Sequence, residues 1–275
     1  MGVNMKLEVL VSTMNRSDLD FLDNMNLTTD ALVMNQAERE SIESVVHNGI
    51  RTLFITSKER GLSNSRNRLI EHATGDICIF ADDDVQYFED YENTILNAHK
   101  QHPDFDIITF KMVTLGHVRT KKYMKKKCKI GLLRSMKITS PEVSFKLERV
   151  KGTGIKFDSL FGAGARYQAG EENIFLKQCI KKGLKVLYIP IPILKIEDSE
   201  STWFKGYDEK YLHNRGAIFG ALFNKLAIPI ILQFAIRKYK LFKNISFLMI
   251  LTHMYCGLRE YKNLTKNGNQ YLHNS

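Results

Sequence analysis

The 275-residue chain has four cysteines, five prolines and one tryptophan, and what it has little of narrows its class. Cys78, Cys128, Cys179 and Cys256 lie far apart with neither CxxC nor zinc-ligand spacing, so reduced thiols in a cytosolic protein are expected rather than a disulfide framework. The eight histidines are scattered and read as surface or satisfied interior residues. There is no GxxxxGK[ST] phosphate loop, no GxGxxG after the first strand, no GxSxG elbow and no HExxH helix. If the protein handles nucleotide phosphates, it does so through a metal rather than through a glycine loop and lysine. The amino terminus lacks the apolar core and cleavage site of a signal peptide, so secretion is not expected. Long apolar runs are also missing. Leu226 to Ile236 and Ile245 to Cys256 are interrupted by Pro229, Gln233 and His253 and fall short of the ~18 residues of a spanning helix, which leaves core or interfacial helices.

Basic charge is plentiful. The net charge is +10. Lys121, Lys122, Lys125, Lys126, Lys127, Lys129, Arg134 and Lys137 crowd one stretch, and Arg237, Lys238, Lys240 and Lys243 another. Such clusters attract nucleotide phosphates, lipid headgroups or nucleic acid. No zinc finger, RNP motif or helix-turn-helix accompanies them, so a nucleic-acid-binding module is the non-enzymatic alternative and no nucleic-acid partner is expected. The first cluster, within a poorly periodic segment from Gly116 to Ser140, reads as a solvated loop.

From Leu7 to about Val113, short apolar runs alternate with helical periodicity, the pattern of βα units on a mostly parallel sheet. Strands are expected at Leu7–Val11, Ala31–Met34, Thr52–Thr56, Ile77–Phe80, Ile107–Phe110 and Leu184–Ile189. Helices are expected after Gly61 with Ser63 as cap, from Tyr91 to near His102-Pro103, and from Ile174 to Lys182 with Gly183 closing it.

The aspartate run Asp82-Asp83-Asp84 ends the apolar strand Ile77-Cys78-Ile79-Phe80, where open α/β sheets place ligands. Asp82 and Asp84, one residue apart in a turn, can face one divalent cation completed by water or diphosphate oxygens. Arg66, on the preceding helix, is placed to meet a diphosphate or the aspartate turn itself. Glu171 and Glu172 follow a glycine-dense stretch and begin a helix. They serve either as favourable charge on the helix dipole or as a general base in a cleft. Trp203 and Phe204, beside Ser201 and Thr202, offer either a sugar-stacking platform or a packed core pair.

Taken in order, these pieces resemble the family 2 glycosyltransferases with the GT-A fold. The resemblance runs from Leu7 to about Gly206. It rests on Val11-Ser12-Thr13-Met14-Asn15-Arg16, Gly61-Leu62-Ser63 to Arg66-Asn67, Ala73-Thr74-Gly75-Asp76, Asp82-Asp83-Asp84, and Phe161-Gly162-Ala163-Gly164 before Gly170-Glu171-Glu172. It implies an α/β, Rossmann-like, mostly parallel central sheet flanked by helices, with a C-terminal helical segment. The catalytic domain would occupy 1–206, with a nucleotide-sugar-binding half at about 1–115 and an acceptor and base half at about 140–206. Residues 207–275 would form the helical segment.

The resemblance further implies that Thr13, Asn15 and Arg16 line the nucleotide pocket, joined by Arg66 and Asp83. Asp82 and Asp84 would act through Mn²⁺ or Mg²⁺ on the donor diphosphate, and Glu172, or second to it Glu171, would be the base of an inverting displacement. Where the family usually reads the nucleotide base with an aspartate, this chain has Asn35 and Gln36. Where a histidine often completes the metal site, it has Glu197-Asp198-Ser199, so Glu197 or Asp198 substitutes, or the aspartates and diphosphate hold the metal alone.

The expected activity is transfer from a nucleotide-diphosphate sugar, a UDP-sugar first, to a hydroxyl of a glycan or lipid-linked glycan in bacterial cell-surface polysaccharide synthesis. Trp203 and Phe204 would meet the acceptor. The protein is expected in the cytoplasm, peripheral on the inner face of the membrane through its basic apolar C-terminal segments; a homodimer contact is the competing use of those segments. Asp82-Asp83-Asp84-Val85 also fits the DxDx[TV] signature of haloacid-dehalogenase-like phosphatases with Asp82 as nucleophile. That family carries the motif after its first strand, so this reading ranks lower.

Overall fold

A computed structural model describes residues 5–116, 121–197, 206–242 and 244–272, with side chains to 266. The chain divides into two compact units, Met1–Ser159 with Glu171–Glu200, and Leu160–Gly170 with Ser201–Ser275.

The first unit is built on a ten-stranded sheet: β1 (Leu7–Met14), β2 (Asp30–Gln36), β3 (Ser41–His47), β4 (Ile50–Ser57), β5 (Ile77–Asp82), β6 (Val85–Tyr87), β7 (Ile107–Leu115), β8 (Cys128–Ile130), β9 (Val143–Lys146) and β10 (Val186–Glu197). The order is β3-β4-β2-β1-β5-β9-β7-β10-β6, with β8 on β10. Strands β4, β2, β1, β5, β7 and β10 run one way, and β3, β6, β8 and β9 oppose them. The helices are α1 (Phe21–Asn24), α2 (Leu62–His72), α3 (Tyr91–Gln101), α4 (Leu132–Ser135), α5 (Leu147–Lys151) and α6 (Glu171–Lys181).

Alternation along the central strands makes two cores. Val9, Val11, Ile77 and Ile79 face one side and pack with Phe21, Leu22, Tyr91 and Ile95. Leu10, Cys78 and Phe80 face the other and pack with Leu69, Val150, Phe175 and Cys179. A central strand buried on both faces has no polar alternation, which is why β5 reads as a continuous apolar run.

Several expectations change. Ser63 does not cap α2: the cap position is Gly61, with φ 103°, whose N–H bonds the Gln36 side chain, and Ser63 is buried in the first turn. The strand expected to stop at Ile189 continues through Pro190 and Pro192. It can do so because the ladder to β7 is irregular between Tyr188 and Leu194, where a proline removes no regular hydrogen bond. The lysine-rich segment is not wholly loop, since it contains β8 and α4. Lys121 is not solvated either, because both Glu142 carboxylate oxygens accept from its ammonium at 2.7 Å.

In the second unit, α7 (Glu209–Phe223), α8 (Ala227–Lys238) and α9 (Phe247–Leu272) pack together. The stretch Glu209–Leu241 contains a window apolar enough to cross a membrane, with mean hydropathy 1.7, of which 44% is buried in the fold. The apolar segment therefore begins earlier than Leu226. Asn224, at φ 46° and ψ −106°, breaks it. The two pieces of 15 and 12 residues are about 22 and 18 Å long, short of the ~30 Å hydrocarbon layer.

Helices α7 and α9 cross where neither has a side chain. A Cβ at Gly216 would lie 1.9 Å from the Met254 carbonyl oxygen, and one at Gly257 1.9 Å from that of His213. Alanine in an open helix would gain about 1 kcal/mol over glycine. Here backbone must move apart, so Gly216→Ala should instead cost about 1–3 kcal/mol. Thermal unfolding checks the sign: an unchanged or raised Tm would mean that the helices do not cross this closely.

Candidate active site

Parallel pairing of β1 with β5 sets Ser12 beside Asp82, so the loop after β1 and the acidic turn after β5 leave the same sheet edge. Asp83 ties them together. Its Oδ2 accepts from Thr13 Oγ1 at 2.5 Å and from Arg16 Nε and Nη2 at 3.0 and 2.7 Å. Asn15 takes a left-handed conformation, φ 54°, and donates its N–H to the Gln36 carbonyl at 3.1 Å. The Asn35 carboxamide clamps the Arg16 backbone, accepting from its N–H at 3.0 Å and donating to its carbonyl at 2.8 Å. Gln36 Oε1 accepts from the Gly61 N–H at 2.8 Å. Thr13, Asn15, Arg16, Asn35, Gln36 and Asp83 thus gather at one edge. The amide oxygens of Asn35 and Gln36 face protein backbone, which gives them a positioning task.

Arg66 is the centre of the site. Helix α2 carries it inward until only 2% of it is exposed. Its guanidinium lies over the rings of Phe80 and Phe157, at 5.9 and 5.7 Å. Nη2 donates to Asp82 Oδ1 at 3.2 Å and Nη1 to Glu171 Oε1 at 2.9 Å. One planar fork therefore joins the acidic turn to the first residue of α6, a geometry that a lysine point charge does not reproduce. Phe157 is held in turn by Asn67, which donates to its carbonyl at 2.9 Å and accepts from its N–H at 2.7 Å.

The charges do not balance. Partial burial raises the Asp82 carboxyl above its ordinary value against the pull of Arg66, and the Glu171 charge adds to the rise. Burial, then the charges of Asp82 and Asp83, raise Asp84. Burial and the Glu171 charge raise Glu172, while Arg66 restrains it. For Arg66 itself burial opposes the charge, and Asp82, Glu171 and Glu172 outweigh it. Asp82 and Asp84, both held above the ordinary carboxylate range, mark a local surplus of negative charge that a cation would relieve.

Among the described residues no group of three or more His, Cys, Asp or Glu side chains could hold a metal ion. Mg²⁺ and Mn²⁺ are commonly held by one or two carboxylates with the remaining positions left to phosphate and water. Asp82 and Asp84 fit this role. Glu197 is exposed at the end of β10; the last antiparallel pair is Ile196 with Val85, so Glu197 lies one step beyond that pair, on the side of Asp84. Asp198, Trp203 and Phe204 lie outside the described residues.

Sequence reasoning missed Glu142. It is fully buried and receives Lys121, the Tyr123 hydroxyl and the Thr139 N–H. Burial lowers the Lys121 ammonium below its ordinary value; the Glu142 charge opposes this most, and the Glu172 charge also reaches it. Phe157 was missed as well, for no motif marks an aromatic residue as the lid over an arginine.

The glycosyl transferase family 2 model matches residues 35–170, which include Arg66 and the acidic turn. Residues 1–349 of TarS from S. aureus, in complex with UDP-GlcNAc, superpose with TM-score 0.62 and 14% identity, over 86% of this chain and 73% of that one. A structure of the same segment with UDP gives 0.59 and 15%, over 86% and 72%. The mannosyltransferase PcManGT from Pyrobaculum calidifontis, in complex with GDP-Man and Mn²⁺, gives 0.51 and 11%, over 98% and 81%. No curated protein sequence matches. At such identities the superpositions speak for the GT-A fold, and the family match sets aside the phosphatase and nucleic-acid readings. Residues 35–170 form a family 2 glycosyltransferase domain.

Proposed function

We propose that the chain transfers a sugar from a nucleotide-diphosphate donor, UDP-linked in the first instance, to a hydroxyl of a glycan or lipid-linked glycan, with inversion at the transferred carbon. The observation that carries this reading is the Arg66 bridge, which makes the acidic turn and the start of α6 one site. The nucleotide sugars bound to TarS and to PcManGT support the donor class.

Asp82 and Asp84 would hold Mn²⁺ or Mg²⁺, and when bound the ion supplies charge stabilisation to the departing diphosphate. Glu171 has its Oε1 on Arg66, which leaves Glu172 as the base. Its carboxylate accepts the acceptor hydroxyl proton as that oxygen bonds to the anomeric carbon. The carbon–oxygen bond to the diphosphate breaks, and its electron pair leaves with the nucleoside diphosphate. A base held above its ordinary value is well matched to this proton transfer near neutral pH. Arg66 keeps Glu171 and Asp82 in register, and Asp83 with Thr13 and Arg16 fixes the loop beside the diphosphate.

Thermal shift with UDP-, GDP-, dTDP- and CMP-sugars, with and without Mn²⁺, tests the donor and metal assignments together. One donor should stabilise the chain in a metal-dependent way, by about 2.7 kcal/mol at a hundred times its Kd. Asp84→Asn should remove the metal-dependent part. A panel in which no donor shifts the transition overturns the reading.

A further inference from the structure

Helix α8 has two apolar stripes, and the fold uses one. Ala227, Ile231, Phe234 and Ala235 are buried, whereas Ile228, Leu232 and Ile236, spaced by four residues, are 56, 46 and 64% exposed. On α9 the same pattern recurs: Ile250, Met254 and Leu258 are buried, and Leu248 and Tyr255, seven apart on another face, are 73 and 53% exposed. The two exposed stripes meet. An apolar cleft of about 370 Å³ between the helices is lined by Ile228, Ile231 and Leu232 from α8 and by Leu251, Thr252 and Tyr255 from α9. An uncovered surface of this kind marks an interaction site.

Charge identifies the occupant. From Lys210 to Arg259 the sequence has no aspartate or glutamate, and it has eight lysines and arginines. Lys225 precedes α8, Arg237 and Lys238 end it, and Lys240 follows, so cations stand at both ends of the exposed stripe. A second copy docking here by two-fold symmetry would bring these cations together with no acidic residue of the segment to pair them. A bilayer with anionic headgroups meets both requirements, accepting the apolar side chains at the headgroup boundary and the cations at the phosphates.

We infer that the exposed α8–α9 face docks on an anionic lipid bilayer. Helices lying in the interface plane need no spanning length, which agrees with the break at Asn224. The inference is independent of the catalytic assignments.

Flotation of the full chain with vesicles of phosphatidylcholine alone, and of phosphatidylcholine with phosphatidylglycerol, tests it. The chain should float with the anionic vesicles, and at least about tenfold more weakly with the neutral ones or in high salt. Leu232→Ser with Ile236→Ser should weaken binding about tenfold or more, as should Arg237→Ala with Lys240→Ala. Equal flotation of either variant and the parent, or no flotation with anionic vesicles, overturns the inference. So does a lipid-free dimer that Leu232→Ser with Ile236→Ser dissociates, since a second copy would then own the face. An unchanged Tm of the lipid-free protein in both variants shows that the fold is intact.

Discussion

Glu172→Gln should lower kcat by about 10²- to 10⁴-fold, the usual contribution of a positioned general base, and at the same time make the free protein more stable at neutral pH. The second effect follows from the sign of the shift. Burial and the Glu171 charge raise the Glu172 carboxyl in the folded chain, so the folded state holds that proton more tightly than the unfolded state. Its contribution to stability is complete below the unfolded value of about 4.3 and is lost as pH rises through the raised folded value. Glutamine keeps the neutral shape and never acquires the buried charge. The difference in Tm between variant and parent should therefore be small near pH 4 and grow, in favour of the variant, as pH rises. In parallel, kcat/KM of the parent should climb with pH through the raised value, and the variant should lose that limb. An undiminished kcat would remove Glu172 from the mechanism, and a variant less stable than its parent at neutral pH would show that the carboxylate is structurally needed rather than strained.

The central strands were legible because burial on both faces leaves a long apolar signature, as in Ile77 to Phe80, and because Asp82 interrupts it at a sheet edge. Edge and short elements left weaker traces. Strand β3 is exposed along most of its length, so selection for apolar alternation is slight there. Its signal lay in the turn instead: Asn48 and Gly49, at φ 48° and 84°, form the two-residue hairpin that such a dipeptide favours. Strand β9 has only four residues, yet it sits between β5 and β7, and its pairing is non-local on both sides. No periodicity within residues 140–150 could announce that position. The chemistry-bearing residues divide the same way. Asp82 and Asp84 are two positions apart in sequence and could be read together, while the ion pair between Arg66 and Glu171 spans 105 positions and exists only once α2 and α6 converge on one side of the sheet. Asn35 and Gln36 were recognisable as polar residues ending a strand, but their engagement with the Arg16 and Gly61 backbones depends on the neighbouring loops.

Arg66→Ala should cost about 3–5 kcal/mol of stability, the range for breaking a buried ion pair from one side. The two partners do not share that cost equally. The Asp82 side chain is 39% exposed, so water screens it when the guanidinium goes. Glu171 is 8% exposed and is left as an uncompensated carboxylate beside Glu172, while the Phe80 and Phe157 rings lose the guanidinium that lay over them. Removing the stranded charge should recover part of the loss. Arg66→Met with Glu171→Gln should therefore be less destabilised than the sum of the single variants, and the coupling free energy from that cycle measures the pair. Additivity would mean that the bridge holds nothing together. Arg66→Lys separates positioning from bulk stability, since it keeps a cation but cannot fork to both carboxylates. If Arg66 acts through its neighbours, the lysine variant should fold with a modest loss of Tm and still suffer in two readouts. Metal-dependent stabilisation by donor should weaken, because Asp82 is no longer held. The acid limb of the pH–kcat/KM profile should move to higher pH, because a point charge that no longer forks between Glu171 and Asp82 restrains the Glu172 carboxyl less than the guanidinium does. A lysine variant with a depressed Tm and an unmoved pH profile would reduce Arg66 to a structural ion pair and detach the acidic turn from the base.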